Sequence, residues 1–193
     1  MAATRYTIDR TIDLDVNGSR QRIRLCAERE GRPPLLIVQC GPGLPLLNEV
    51  RKFQRLLDLE RDFLVGYWEQ RGCGDAPPRD AESVSMQQQV ADLSTVLRWL
   101  FEETHERAIV LAISIGATFA LQAAEHELAH VKALVTISPD SHTARGDAAA
   151  DAFIRTHGFL DLPKPPSLDP ATLQRRARVL ADLGAIEHGR KTN

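Results

Sequence analysis

The chain is poor in the features that mark specialised classes. Cysteine occurs three times in 193 residues, at Cys26, Cys40 and Cys73, without the close pairing of a metal site or a disulfide framework. That usage points to free thiols in a reducing, cytoplasmic compartment. Neither sign of charge dominates: 24 Lys and Arg stand against 26 Asp and Glu, for a net charge of −2. Bulk electrostatics therefore favour neither nucleic acid nor an anionic membrane. No apolar run is long enough to span a bilayer, and the residues from Met1 lack a secretory signal pattern. There is no internal repeat or low-complexity block. What remains is 43% hydrophobic and 26% charged, the balance of a soluble globular domain with a real core and no implied metal or organic cofactor.

Read in order, Tyr6, Ile8, Ile12, Leu14 and Val16 alternate with polar neighbours, Asn17-Gly18 follows, and Ile23 and Leu25 resume the alternation. This pattern predicts an antiparallel hairpin, because Asn-Gly suits a type I′ turn. Leu35-Leu36-Ile37-Val38 and Phe63-Leu64-Val65-Gly66-Tyr67-Trp68 are continuous apolar runs of the kind buried on both faces in parallel sheets. Val50, Phe53, Leu56 and Leu57 recur at helical spacing between them. Ser85 with Gln88 predicts a capping box for a helix carrying Met86, Val90, Leu93, Leu97 and Leu100. Two further strands are expected at Ala108–Ile113 and over 131–138. Strands alternating with helices imply a parallel sheet covered on both faces, with the loops 39–45, 69–75 and 113–116 meeting at one edge. From about residue 141 the pattern changes to an alanine-rich helix over 147–157, a proline-rich connector and a last helix opened by Asp169-Pro170.

The most informative stretch is Ala108-Ile109-Val110-Leu111-Ala112-Ile113-Ser114-Ile115-Gly116-Ala117. An apolar strand stops at Ser114 and a small-residue helix starts at once, which is the local pattern of a nucleophile elbow. The helix N-terminus behind the serine offers unpaired N–H groups to a developing oxyanion. Alone, the pattern also fits any helix start rich in serine and glycine.

Three loops taken together resemble the α/β-hydrolase fold, and most of all its proline iminopeptidase branch. That branch carries His-Gly-Gly-Pro-Gly after its third strand, where this chain has Gln39-Cys40-Gly41-Pro42-Gly43. It carries Asp-Gln-Arg-Gly-x-Gly after the fourth, where this chain has Glu69-Gln70-Arg71-Gly72-Cys73-Gly74. The elbow Ala112-Ile113-Ser114-Ile115-Gly116 follows in register, and the order agrees over 6–138. The resemblance implies an α/β class fold, with an N-terminal antiparallel hairpin, then a parallel sheet with helices on both faces, incomplete at the C-terminal end. It implies a core over 1–140 and the start of a helical cap over 141–193. Ser114 is then the nucleophile, the backbone N–H groups of Gly41 and Ile115 form the oxyanion hole, and Gln39, Cys40, Pro42 and Gly43 line the site. Gln70 and Arg71 are expected to brace neighbouring loops through hydrogen bonds. The chemistry implied is acyl transfer to water from a small-molecule or short-peptide amide or ester. A serine at the elbow disfavours an aspartate-nucleophile dehalogenase or epoxide hydrolase.

A serine nucleophile needs a histidine base and an orienting carboxylate. In this fold both follow the serine, on later strands. The six histidines are His105, His126, His130, His142, His157 and His188, and each reads as a solvated surface residue. Asp140 is the candidate acid, at the end of the strand beside the elbow, although Ser-Pro-Asp is also an ordinary turn. The expected activity is therefore that of an impaired serine hydrolase. The competing reading is a non-catalytic remnant that binds or assembles. The strand at 131–138 is written like an interior strand, so its outer edge is expected to pair with a second copy or a missing C-terminal segment.

Overall fold

The computed structural model describes residues 5–40, 45–74 and 85–139, together with five helical residues between 148 and 156. The chain divides into two units, Met1–Thr143 and Ala144–Asn193. In the second unit Ala148, Ala149, Ala152, Phe153 and Thr156 are helical, within the span where the alanine-rich helix is expected. The proline-rich connector and the last helix lie outside the described residues.

The first unit opens with β1 (Ile8–Val16) and β2 (Ser19–Ala27). Asn17 and Gly18 take φ of 51° and 74°, so both turn residues occupy the left-handed region that a type I′ turn requires. Ion pairs zip the exposed face of the hairpin. Arg22 donates to Asp13 across 3.0 Å, Arg20 donates to the same carboxylate, and Arg24 grips Asp9 with bonds of 2.8 and 2.9 Å.

Those arginine hydrogen bonds hold Asp9 and Asp13 below the usual carboxylate range. A depressed folded-state value means stability that is fully present above the unfolded value near pH 4 and is lost as pH falls through the folded one. Both sites are largely exposed, so the contribution is small and salt-sensitive. Denaturation midpoints followed from pH 6 to pH 2.5 should fall less steeply in Asp9→Asn/Asp13→Asn than in the parent. Identical acid profiles would show that the zipper contributes nothing.

The sheet continues with β3 (Pro34–Val38), β4 (Leu64–Glu69), β5 (Ala108–Ile113) and β6 (Val131–Ile137), in the spatial order β1-β2-β4-β3-β5-β6. The β1-β2 and β2-β4 pairs are antiparallel, and β4-β3, β3-β5 and β5-β6 are parallel. Side chains alternate across a strand, and the sheet uses both faces. Leu36 and Val38 point to one face, where α2 (Met86–Thr104) and α3 (Ile115–His126) supply Leu93, Leu97, Phe119 and Ala123. Leu35 and Ile37 point to the other, against Val50 and Phe53 of α1 (Val50–Leu57). The continuous apolar runs are thus explained by burial on both faces. α1 departs from expectation, because Leu56 is 74% exposed and its apolar period is only half used.

The Ser85 hydroxyl accepts from the Gln88 N–H at 3.1 Å, which caps α2. The reciprocal half of the expected box is not made. Gln88 instead turns its side chain along the helix, where Nε2 donates to Asp92 across 2.8 Å.

Candidate active site

β4, β3 and β5 run parallel and side by side, so the loops that follow them leave the sheet at the same edge. Ser114 stands at the end of β5, immediately before α3, with φ 54° and ψ −128°. A positive φ at a residue with a Cβ costs on the order of 1–3 kcal/mol and persists only where the surroundings enforce it. Two contacts do so. The Ser114 N–H donates to the Ile137 carbonyl at 2.9 Å, which ties the elbow to the end of β6. On the other side, a Cβ built on Gly116 would lie 2.1 Å from the Gln39 carbonyl oxygen and 2.9 Å from that of Val38. Only glycine lets α3 sit this close to the end of β3.

The Ser114 hydroxyl does not cap its own helix. The first internal bond of α3 runs from the Ala117 N–H to the Ser114 carbonyl, at 2.9 Å. The N–H groups of Ile115 and Gly116 come before it, and the helix dipole adds partial positive charge there. The arrangement can therefore present a serine hydroxyl beside donors suited to an oxyanion. Gln39 and Cys40 are placed at the same sheet edge, Gln39 buried and Cys40 exposed. Gly41, Pro42, Gly43 and Asp140 lie outside the described residues.

The neighbouring loops are braced by buried polar groups. Arg71 donates from Nε and Nη2 to the two carboxylate oxygens of Asp92, at 2.7 and 3.0 Å, and also to the Val16 carbonyl at 3.1 Å. Asp92 accepts in addition from Gln21, Asn17 and Gln88, and Gln21 in turn accepts from the Trp68 indole. The hairpin turn, the loop after β4 and the first turns of α2 thus converge on one carboxylate. Glu69 joins two site loops directly. It accepts from the Leu46 N–H at 2.9 Å, and a Cβ on Gly74 would meet its carboxylate at 2.8 Å.

Some expectations need correction. Arg71 braces the loops, but the Gln70 amide is buried without a hydrogen-bond partner among the described residues. His130 is not a solvated residue: its Nδ1 lies 2.8 Å from Glu127, its ring packs edge-on against Phe101, and Arg98 approaches the same carboxylate. The cluster sits at the far edge of the sheet, where the His130 carbonyl accepts from Ala108, the first residue of β5. His105 caps α2 and His126 ends α3, also remote from Ser114 across the length of β5, roughly 20 Å. His142, His157 and His188 lie outside the described residues. Sequence reasoning also missed Asp92. The available signal was a carboxylate one residue before Leu93, within the apolar stripe of α2.

Buried groups away from the site are chemically quiet. Burial pushes the Cys26 thiol up to about 12, so it stays protonated at neutral pH. All three cysteines are free thiols. Among the described residues, no cluster of His, Cys, Asp and Glu could hold a metal ion, and no helix is long and apolar enough to cross a membrane.

Comparison with known proteins bears on the family and the fold. The profile of the family described as "Serine aminopeptidase, S33" matches residues 51–184. The Bacillus subtilis (strain 168) protein named "Probable aminopeptidase YbaC" is 28% identical over 102 residues, which are 52% of this chain and 31% of that protein. A proline iminopeptidase-related protein of Thermus thermophilus superposes with a TM-score of 0.60 at 21% identity, over 81% of this chain and 53% of that one. An N-formylmaleamic acid deformylase from Pseudomonas putida S16 superposes with a TM-score of 0.55 at 25% identity, over 67% of this chain and 47% of that one. The chain thus spans about half the length of these solved relatives and less of the curated one. It carries the α/β-hydrolase fold and belongs to the serine aminopeptidase S33 family.

Proposed function

We propose that this chain carries the nucleophile half of a serine hydrolase that transfers an acyl group from a small amide, peptide or ester through Ser114 to water. The observation that carries the reading is the strained elbow. A non-glycine residue at positive φ, locked from both sides ahead of a helix N-terminus, is worth its cost only if that hydroxyl must be presented outward. Ser114 Oγ gives up its proton as it attacks the carbonyl carbon, that proton leaves on the departing amine or alcohol as the tetrahedral intermediate collapses, and water hydrolyses the acyl-serine to the free acid and the restored hydroxyl. Backbone N–H donors stabilise the oxyanion, Ile115 from α3 and Gly41 from the loop after β3. The reading places the protein in a reducing cytoplasmic compartment.

The proposal includes impaired catalysis by this chain, and what supports it is that no histidine among the described residues stands near Ser114. A hydroxyl without a base is a poor nucleophile at neutral pH. Labelling with excess fluorophosphonate should be slow and confined to Ser114, and Ser114→Ala should abolish it. Ester turnover should stay near the residual level of base-deleted hydrolases, roughly 10³–10⁴-fold over water. Fast, stoichiometric labelling would show that a base is in place. Labelling that persists in Ser114→Ala would remove the serine from the chemistry.

The open edge of the sheet supports a second property. β1 and β6 are the two edge strands, and they differ sharply. β1 bears four charged residues, the usual guard against edge pairing. β6 bears one, Lys132, while Val135 and Ile137 are 47% and 46% exposed. The outer edge of β6 has no strand partner among the described residues. In the purified chain the expected result is self-association through this strand, with light-scattering mass rising across a concentration series. Val135→Lys should return the monomer. A parent chain that stays monomeric at every concentration would overturn the edge as an assembly surface and weaken the non-catalytic reading with it.

A further inference from the structure

The elbow helix rests on the backbone at the end of β3, and the Gln39 side chain ties that backbone to the loop after β4. The first turn of α3 lies against the Gln39 carbonyl, 2.1 Å from where a Cβ of Gly116 would stand. Gln39 is 3% exposed, and its Nε2 donates to Cys73 Sγ across 3.0 Å. Its Oε1 has no hydrogen-bond partner among the described residues. Cys73 is held in its own turn, where its N–H donates to the Gln70 carbonyl at 3.0 Å. The loop after β4, the end of β3 and the nucleophile elbow are therefore linked in series through one glutamine.

We propose that Gln39 is a positioning residue for Ser114. Its amide-to-thiol hydrogen bond fixes the backbone on which α3 is seated, and that seat sets where the serine hydroxyl stands. The proposal rests on the reading of Ser114 as nucleophile for its consequence, but the seat exists whether or not the serine reacts. Stability alone gives no reason for this residue. A buried amide with an unmet oxygen is a liability, and because a thiol is only a weak acceptor, replacing the amide by a hydrocarbon of similar size leaves little behind unsatisfied. Seating requires the opposite, since leucine cannot donate to the sulfur. One substitution therefore has different signs under the two explanations.

The test uses the full chain with Gln39→Leu, Cys73→Ala, both together, and Gln39→His. Three quantities are measured: the thermal midpoint, the residual rate of Ser114 phosphonylation by excess fluorophosphonate, and hydrogen exchange of the backbone amides over 113–119. Gln39→Leu should leave the midpoint unchanged or raised, slow phosphonylation at least tenfold and speed exchange at 113–119 at least tenfold. Cys73→Ala should reproduce both changes, and the double variant should add nothing further. Gln39→His, whose ring N–H can donate to the same sulfur, should return both quantities to within threefold of the parent. Unchanged exchange at 113–119 in Gln39→Leu overturns the proposal, as does a loss of rate that merely tracks a loss of midpoint. If the parent is not phosphonylated at all, the nucleophile reading falls separately, and exchange at 113–119 decides the seat alone.

Discussion

Replacing Asp92 by alanine should be among the most damaging single changes in this chain. Asp92 is fully buried and Arg71 is nearly so, with N–O distances of 2.7 and 3.0 Å between them. Removing the carboxylate leaves a guanidinium in the interior without its counter-charge and strips the side-chain amides of Gln21, Asn17 and Gln88 of their acceptor. Breaking one side of such a pair costs about 3–5 kcal/mol. For a chain of this size that lowers the thermal midpoint by roughly 6–20 °C, at about 2–4 °C per kcal/mol. Asp92→Asn keeps the shape and one acceptor, so it should fall between. The informative comparison is Arg71→Met with Asp92→Leu. Removing both charges at once takes away the desolvation cost as well as the attraction, so the double variant should regain much of what the single one loses. A midpoint within 2 °C of the parent for Asp92→Ala would mean that water reaches the pair and that the network is not what braces the loops.

How much of this could be read beforehand depends on whether the determining physics is local. Asn17-Gly18 announces its turn because positive φ at two successive residues has few sequence solutions, and both angles are positive here. The runs at β3 and β4 announce buried parallel strands because burial on both faces leaves no room for polar alternation. Ser114 and Gly116 are legible for the same kind of reason: a strained turn and a close approach each restrict what can stand there. The convergence on Asp92 is different. Gln88 is one helical turn away, but Asn17 and Gln21 come from the hairpin and Arg71 from the loop after β4, and nothing local to Asp92 names those. The pairing of His130 with Glu127 is local, three residues apart, yet its burial depends on Phe101 and Arg98 from α2. Leu56 fails in the opposite sense, because helical spacing shows a face but not whether anything covers it. Propensity and period foretold the elements of the first unit and the strand-to-helix turn at Ser114, and the resemblance foretold Arg71 as a brace, while its acceptor Asp92 emerged only from tertiary contacts.

Gly116→Ala is a second change of large expected effect, and its sign is what makes it diagnostic. In an ordinary helix the exchange is favourable, since alanine gains about 0.5–1 kcal/mol over glycine. At this position the new methyl would stand 2.1 Å from the Gln39 carbonyl oxygen, 2.9 Å from that of Val38 and 3.0 Å from the Gln39 carbonyl carbon. All three are backbone atoms, so no side chain can turn aside to make room. Either the end of β3 or the first turn of α3 must move, and both movements fall on the elbow. Overpacking typically costs about 1–3 kcal/mol, enough to overcome the gain in propensity. The thermal midpoint should therefore drop rather than rise. Reactivity at Ser114 should fall further than stability does, because the displaced turn also carries the Ile115 N–H that precedes the first bond of α3. Gly66 provides the control. A Cβ there meets only side-chain methyls of Ile23, Leu36 and Leu25, at 3.2 to 3.5 Å, and those can yield by a few tenths of an ångström. Gly66→Ala should thus be the milder change and should leave Ser114 labelling intact. A Gly116→Ala chain that melts higher than the parent and labels at the parental rate would show that α3 is not seated on β3, and the close-packed elbow would have to be abandoned.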